Sequence, residues 1–361
     1  MPRSVRWRAI VIIVAGAVAA GAIGVVGVTG DTGEAPIDAA PAATALGEAT
    51  GPAVPADDSV PSPDLAQPSP NASAPPEAPP STPPTSIGSP STLPTYSVTV
   101  SSLTFTDTSR STAAHGGVAS VPYRRLPTTI WYPSAPGSFP LVVFGPGFGN
   151  TAADYRDLLA QVAARGFVVA APEFPLTSPA NTSSLVEGDL ASEPADLSFV
   201  ATQVQQLGRQ SSTISGRVAG SRFAVMGHSD GAVAAGAAAF NSCCIDPRIA
   251  AAVTLSGNAT GFSPTWFPAG SPALLAVHGT ADTTNPFANS QAMFGRGRSP
   301  KFLLSVLGGT HEAPFTTDPV RSQIAMVIAD FVGGVLRGDQ RSMDRVTTDG
   351  NIDGMVSVQA G

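Results

Sequence analysis

Six short, predominantly apolar runs constrain what this 361-residue chain can fold into: 141–144, 167–171, 223–226, 251–255, 274–277 and 302–306. They are too short for core helices and show no polar alternation, so strands made from them must be covered on both faces. Ahead of them, 96–105 alternates Tyr, Val, Leu and Phe with Ser and Thr, as a half-exposed edge strand does, and 128–132 reads as its neighbour. The stretches 152–164, 194–207, 231–240 and 319–336 have helical length and patterning. Strands that alternate with helices predict the α/β class, with a mostly parallel central sheet of about eight strands flanked by helices.

The N-terminal part is of another kind. Arg3, Arg6 and Arg8 precede an uncharged apolar stretch at 9–28, the layout of an export signal with a positive cytoplasmic end. As a helix those residues would reach roughly 30 Å, enough for a membrane tether, while Ala17, Val18 and Ala19 resemble a cleavage site. Residues 29–94 are rich in Pro, Ala, Ser and Thr and predict a disordered stalk, because such a composition cannot bury enough apolar surface to offset ordering entropy. The expected organisation is a signal peptide or signal-anchor (1–28), the stalk (29–94), a catalytic domain (95–340) and a C-terminal tail (341–361), with the domain extracytoplasmic. Charged residues are only 12% of the chain and Lys301 is its one lysine, so no basic surface is available for nucleic acid.

Gly227-His228-Ser229-Asp230-Gly231 matches G-x-S-x-G, and its context strengthens the match: an apolar strand ends just before it and a helix of small residues begins just after. Ser229 is the candidate nucleophile. A serine hydroxyl needs a base to take its proton, and the chain has four histidines. His115 lies upstream of the sheet's centre, His228 adjoins the serine but points elsewhere, and His278 ends a strand. His311, in a loop after the last predicted strand, is the candidate base. Asp282 follows a strand end and keeps the order Ser, Asp, His, so it is the expected carboxylate, preferred over Asp246, Glu312 and Asp318. The backbone N–H groups of Phe148 and Asp230 are the candidate oxyanion donors. The Asp230 side chain is expected in the first turn of the following helix, where the dipole favours a carboxylate. Adjacent Cys243 and Cys244 are open to a vicinal disulfide or to two buried thiols. No metal-ligand spacing, phosphate loop or dinucleotide fingerprint appears, so neither metal nor cofactor is expected.

These residues resemble the α/β-hydrolase superfamily of serine esterases, in particular polyester hydrolases and cutinase-like enzymes and the dienelactone-hydrolase-like and platelet-activating-factor acetylhydrolase-like esterases. The resemblance covers about 128–334 and is carried by Trp131-Tyr132-Pro133, Gly145-Pro146-Gly147-Phe148, Arg165-Gly166-Phe167-Val168-Val169, the Ser229 motif, His278-Gly279-Thr280-Ala281-Asp282 and Gly308-Gly309-Thr310-His311. It implies an α/β-hydrolase fold, hydrolysis of an ester substrate by Ser229, His311 and Asp282, and a substrate-binding role for Phe148. Many polyester hydrolases have a hydrophobic residue where this chain has Asp230, and a tryptophan where it has Leu255-Ser256-Gly257-Asn258. Trp266 and Phe262 are the candidates to supply that aromatic contact. The alternatives to a carboxylesterase are a polyester hydrolase and a non-catalytic surface protein that keeps the fold.

Overall fold

The computed structural model describes residues 94–262 and 265–361. The expected signal or tether, and the stalk up to residue 93, lie outside the described residues. No helix among the described residues is long and apolar enough to cross a membrane.

The eight expected strands form β1 (Val98–Asp107), β2 (Arg124–Pro133), β3 (Phe139–Gly145), β4 (Val168–Pro172), β5 (Val218–His228), β6 (Ile249–Leu255), β7 (Ala273–Gly279) and β8 (Lys301–Val306). The expected helices are α1 (Arg156–Ala164), preceded by a 3-10 turn at Ala152–Tyr155, then α2 (Glu193–Arg209), α3 (Asp230–Phe240) and α6 (Val320–Arg337). Between them lie α4 (Ala288–Arg296) and a single turn, α5 (Ala313–Thr316), neither of which the sequence pattern announced.

One correction concerns the C-terminal end. Residues 341–361 are not a tail: Gly338, at φ 65°, ends α6, the Asp339 side chain accepts the Arg341 N–H, and α7 (Gln340–Asp349) leads into β9 (Val356–Ala360). Among the described residues the sheet therefore has nine strands, in the order β1-β2-β4-β3-β5-β6-β7-β8-β9. Strand β9 pairs antiparallel with β8, from Val306↔Val356 to Phe302↔Ala360, and so satisfies an edge that β8 would otherwise expose. Neighbours from β4 to β8 run parallel, while β1/β2 and β2/β4 are antiparallel.

Both faces of the sheet are covered, as the unalternating runs require. Val142 and Phe144 of β3 point into one core, shared with Leu158 and Val162 of α1 and Ile324, Ile328 and Phe331 of α6. Leu141 and Val143 point into the other, with Leu197, Val200 and Val204 of α2 and the Ala-rich face of α3. The chain leaves β3 for β4 on one side and returns to β5 on the other, so the strand order reverses between them. At the carboxyl ends of β3 and β5 that reversal opens a crevice, where open α/β sheets bind ligands.

Candidate active site

Ser229 sits in that crevice, between the last residue of β5 and the first of α3, at φ 53° and ψ −123°. A positive φ is uncommon for a non-glycine residue and costs energy that the surrounding structure must supply. Two glycines allow it. A Cβ on Gly231 would lie 2.0 Å from the carbonyl oxygen of Gly145 in β3, and one on Gly227 would lie 2.1 Å from that of Gly231. Strand β3, strand β5 and the start of α3 thus meet backbone against backbone, and the serine is pushed out at the top of the turn.

The three residues expected to act together are adjacent. His311 Nε2 lies 2.9 Å from Ser229 Oγ, and His311 Nδ1 lies 2.7 Å from Asp282 Oδ2. With Nδ1–H donating to the carboxylate, Nε2 is left as the acceptor of the serine proton. The Asp282 side chain is fully buried but well satisfied: its Oδ1 accepts the backbone N–H groups of Thr284 (2.9 Å) and Asn285 (2.8 Å), and its Oδ2 also lies 3.1 Å from His278 Nε2. Burial works to raise the Asp282 pKa, yet the hydrogen bonds from His311 and the Asn285 N–H outweigh it and hold the group below its ordinary value. The loops that carry Asp282 and His311 touch where β7 ends, since a Cβ on Gly279 would lie 2.2 Å from the Gly309 carbonyl oxygen.

The other two histidines near the serine hold this arrangement in place. His278 Nε2 faces the Asn285 carbonyl at 2.8 Å and Asp282 at 3.1 Å, so it carries the proton, and Nδ1 accepts from the Ser290 hydroxyl at 2.7 Å. His228 Nε2 donates to the carbonyl oxygen of His311 at 2.9 Å, and the hydroxyl of Ser256 reaches the same oxygen at 3.3 Å. His228 Nδ1 accepts from the Tyr155 hydroxyl at 2.7 Å, whose oxygen receives the Gly147 N–H. Burial, the largest effect, pushes the His228 pKa down to about 4, so at neutral pH it is an uncharged connector. Tyr155 and Ser256 escape a sequence reading because their partners, His228 and His311, lie far off in the chain.

The arm after β3 runs beside the nucleophile: a Cβ on Gly147 would lie 3.2 Å from Ser229 Cβ. Phe148 follows, 38% exposed, and the Gly149 N–H is held by the Thr177 carbonyl at 2.9 Å. Asp230 begins α3 as expected; burial first and Glu187 second raise its pKa, while His311 opposes them. Cys243 and Cys244 form a disulfide in the turn after α3, at the opposite end of that helix from Ser229.

Trp266 and Phe262 need correction as substrate contacts. Trp266 is buried, pairs with Asn241 beyond the far end of α3, and comes within 3.6 Å of a Cβ built on Gly236 in the middle of that helix. Phe262 packs edge-on against it, with centroids 6.2 Å apart. The Trp266 ring thus belongs to the packing on α3 and the Phe262 ring to that on Trp266, and neither is among the described contacts of Ser229 or His311. Among the described residues no group of three or more His, Cys, Asp or Glu side chains could hold a metal ion.

A family model described as Chlorophyllase matches residues 107–261, rather less than half of the chain. That span runs from the end of β1 through the Phe148 arm and the Ser229 turn, and stops short of Asp282 and His311. No curated protein matches the chain. A nine-stranded, mostly parallel sheet flanked by helices and a serine on a strained strand-to-helix turn give this chain the α/β-hydrolase fold, and residues 107–261 are similar to a serine-esterase family of that fold.

Proposed function

We propose that this protein is an extracytoplasmic serine hydrolase that cleaves carboxylic esters through an acyl-enzyme intermediate. The observation that carries the reading is the continuous relay from Ser229 Oγ through His311 to Asp282, at 2.9 and 2.7 Å, ending on a carboxylate that is buried and hydrogen-bonded. In acylation, His311 Nε2 takes the Ser229 proton as Oγ attacks the ester carbonyl carbon. Asp282 stabilises the imidazolium that forms. The negative charge that develops on the carbonyl oxygen is met by the N–H groups of Phe148 and Asp230, one on each side of the nucleophile. His311 then protonates the departing alcohol. Water repeats the sequence on the acyl-enzyme, with His311 as base, and releases the acid and free Ser229.

Phe148 offers an exposed aromatic ring beside the serine, which suits an apolar acyl or alcohol group. For localisation, the support is the arginine-led apolar segment 9–28, whether cleaved or kept as a tether, together with a cysteine pair in the oxidised state. The decisive experiment is labelling with a fluorophosphonate probe, which should modify wild type and spare Ser229→Ala. Absence of wild-type labelling would favour the non-catalytic alternative. A panel of p-nitrophenyl esters of rising acyl length, a polyester film, and chlorophyll, after the name of the matched family, then separates substrate classes.

A further inference from the structure

Glu193, the first residue of α2, is a buried carboxyl group that the relay does not use. The Thr177 hydroxyl donates to its Oε1 at 2.5 Å, and among the described residues its Oε2 is buried with no hydrogen-bond partner. Thr177 has a second contact. Its carbonyl oxygen accepts the Gly149 N–H at 2.9 Å, and Gly149 is the residue directly after Phe148. A short path therefore runs from a fixed helix terminus in the core, through one hydroxyl and one backbone carbonyl, to the amide proposed to meet the oxyanion.

We propose that Glu193 is a positioning residue, which acts through Thr177 and Gly149 to set where the Phe148 N–H points. The inference rests on the serine-esterase reading above. A donor worth having in the transition state must be held before charge develops, and the Phe148 arm, exposed at its tip, is held on one side by the hydrogen bonds of Gly147 to Tyr155 and Asn150 and on the other by that of Gly149 to Thr177. Glu193 does this as an uncharged acid. Burial raises its pKa well above the usual carboxylate range; Thr177 opposes that, and Asp196 on its own helix, Asp189 on the turn at 187–192 and Asp230 on α3 add to it. The nearby cations Arg124 and Arg110 are already committed to Asp189 and Asp196. An ionised Glu193 would be an unpaired buried anion, which proteins avoid by keeping the proton.

The test uses the full chain, with kcat and KM for a p-nitrophenyl ester and Ki for a trifluoromethyl ketone, to whose carbonyl carbon Ser229 adds to give a tetrahedral oxyanion. Glu193→Ala and Thr177→Val should each lower kcat roughly tenfold, a fraction of the hundredfold or more that follows loss of a whole oxyanion donor. KM should stay within about twofold, and Ki should rise by the same factor by which kcat falls. The double variant should be no worse than either single one, because both cut the same path. Glu193→Gln, neutral and able to accept from Thr177, should restore kcat to within about threefold of wild type. If Glu193→Ala does not fold, Thr177→Val, which lacks only the hydroxyl, carries the test. Wild-type kcat in Thr177→Val, additive losses, a rise in KM without a fall in kcat, or a loss in Glu193→Gln equal to that in Glu193→Ala would each overturn the inference. Fluorophosphonate labelling keeps the two readings apart: a wild type that neither labels nor turns over sinks the esterase reading itself, whereas one that does both while the variants match it sinks only the role of Glu193.

Discussion

Two buried polar networks flank the crevice, and they are built on opposite principles. Behind His311, a single carboxylate, Asp282, is surrounded by neutral donors: His311, His278 and two backbone N–H groups. On the side of the turn at 187–192, the fully buried Arg124 binds Asp189 through two contacts at 2.8 and 2.9 Å and Asp196 through two at 2.6 and 2.8 Å, while Arg110 joins Asp196 to Asp107. The second network neutralises charge with charge and ties β2, the turn and α2 together. The first keeps one proton acceptor, His311 Nε2, open toward the serine. Loss of a member should therefore lower turnover with little effect on folding in the first network, and do the reverse in the second.

The largest effects should come from the first network. Ser229→Ala and His311→Ala should each lower kcat by on the order of 10⁵ to 10⁶, with urea unfolding within about 1 kcal/mol of wild type. Asp282→Asn should cost about 10⁴ in kcat, since it leaves a base in the wrong tautomer. Asp246→Asn, whose wild-type partner is Arg248, should leave kcat near wild type; equal damage from both would reassign the acid. Arg124→Leu should invert the pattern and destabilise by about 3–5 kcal/mol in urea unfolding, because Asp189 is left buried without its partner. A loss of activity in that variant without a loss of stability would erase the distinction between the networks.

The smallest expected effect is in pH. His228 has a folded-state pKa depressed to about 4, so from its ordinary 6.5 down to that value the unfolded chain binds the extra proton and the folded one does not. Its contribution is present in full above pH 6.5 and is lost as pH falls toward 4, by about 3 kcal/mol over that window. Tm measured across pH 4 to 7 should show this slope, and His228→Gln should flatten it. An unaltered slope in the variant would assign the acid sensitivity to the carboxylates.

What was legible in the sequence follows from how local each signal is. The central strands show because burial on both faces demands apolar residues throughout, and Ser229 shows because its turn needs Gly227 and Gly231 at fixed spacing. Asp282 and His311 follow from chain order and strand ends. Strand β9 escaped because an edge strand with one solvent face carries little apolar pattern: only Val356 and Val358 stand out in Val356–Ala360. Helix α7 escaped for a similar reason, with Met343 and Val346 as its large apolar residues, although Asp339 was a readable N-cap. Trp266 was misread because it was offered to replace the tryptophan missing at Leu255-Ser256-Gly257-Asn258, and its packing on Gly236 leaves no trace in the sequence. The supporting partners, Tyr155 for His228 and Thr177 for Glu193, answer to spatial proximity that no local spacing encodes.

The glycine contacts bear on how such a site can change. At Gly227, Gly231 and Gly279 the backbone of the site rests directly on other backbone, and even a methyl group would force the two apart. A library randomised across the crevice should return almost no survivors at those three positions, while tolerating wide diversity at the exposed Phe148, Val186 and Glu187. The chemistry is thereby inherited as one indivisible block of main chain, and preference for one ester over another is free to drift on a separate set of residues.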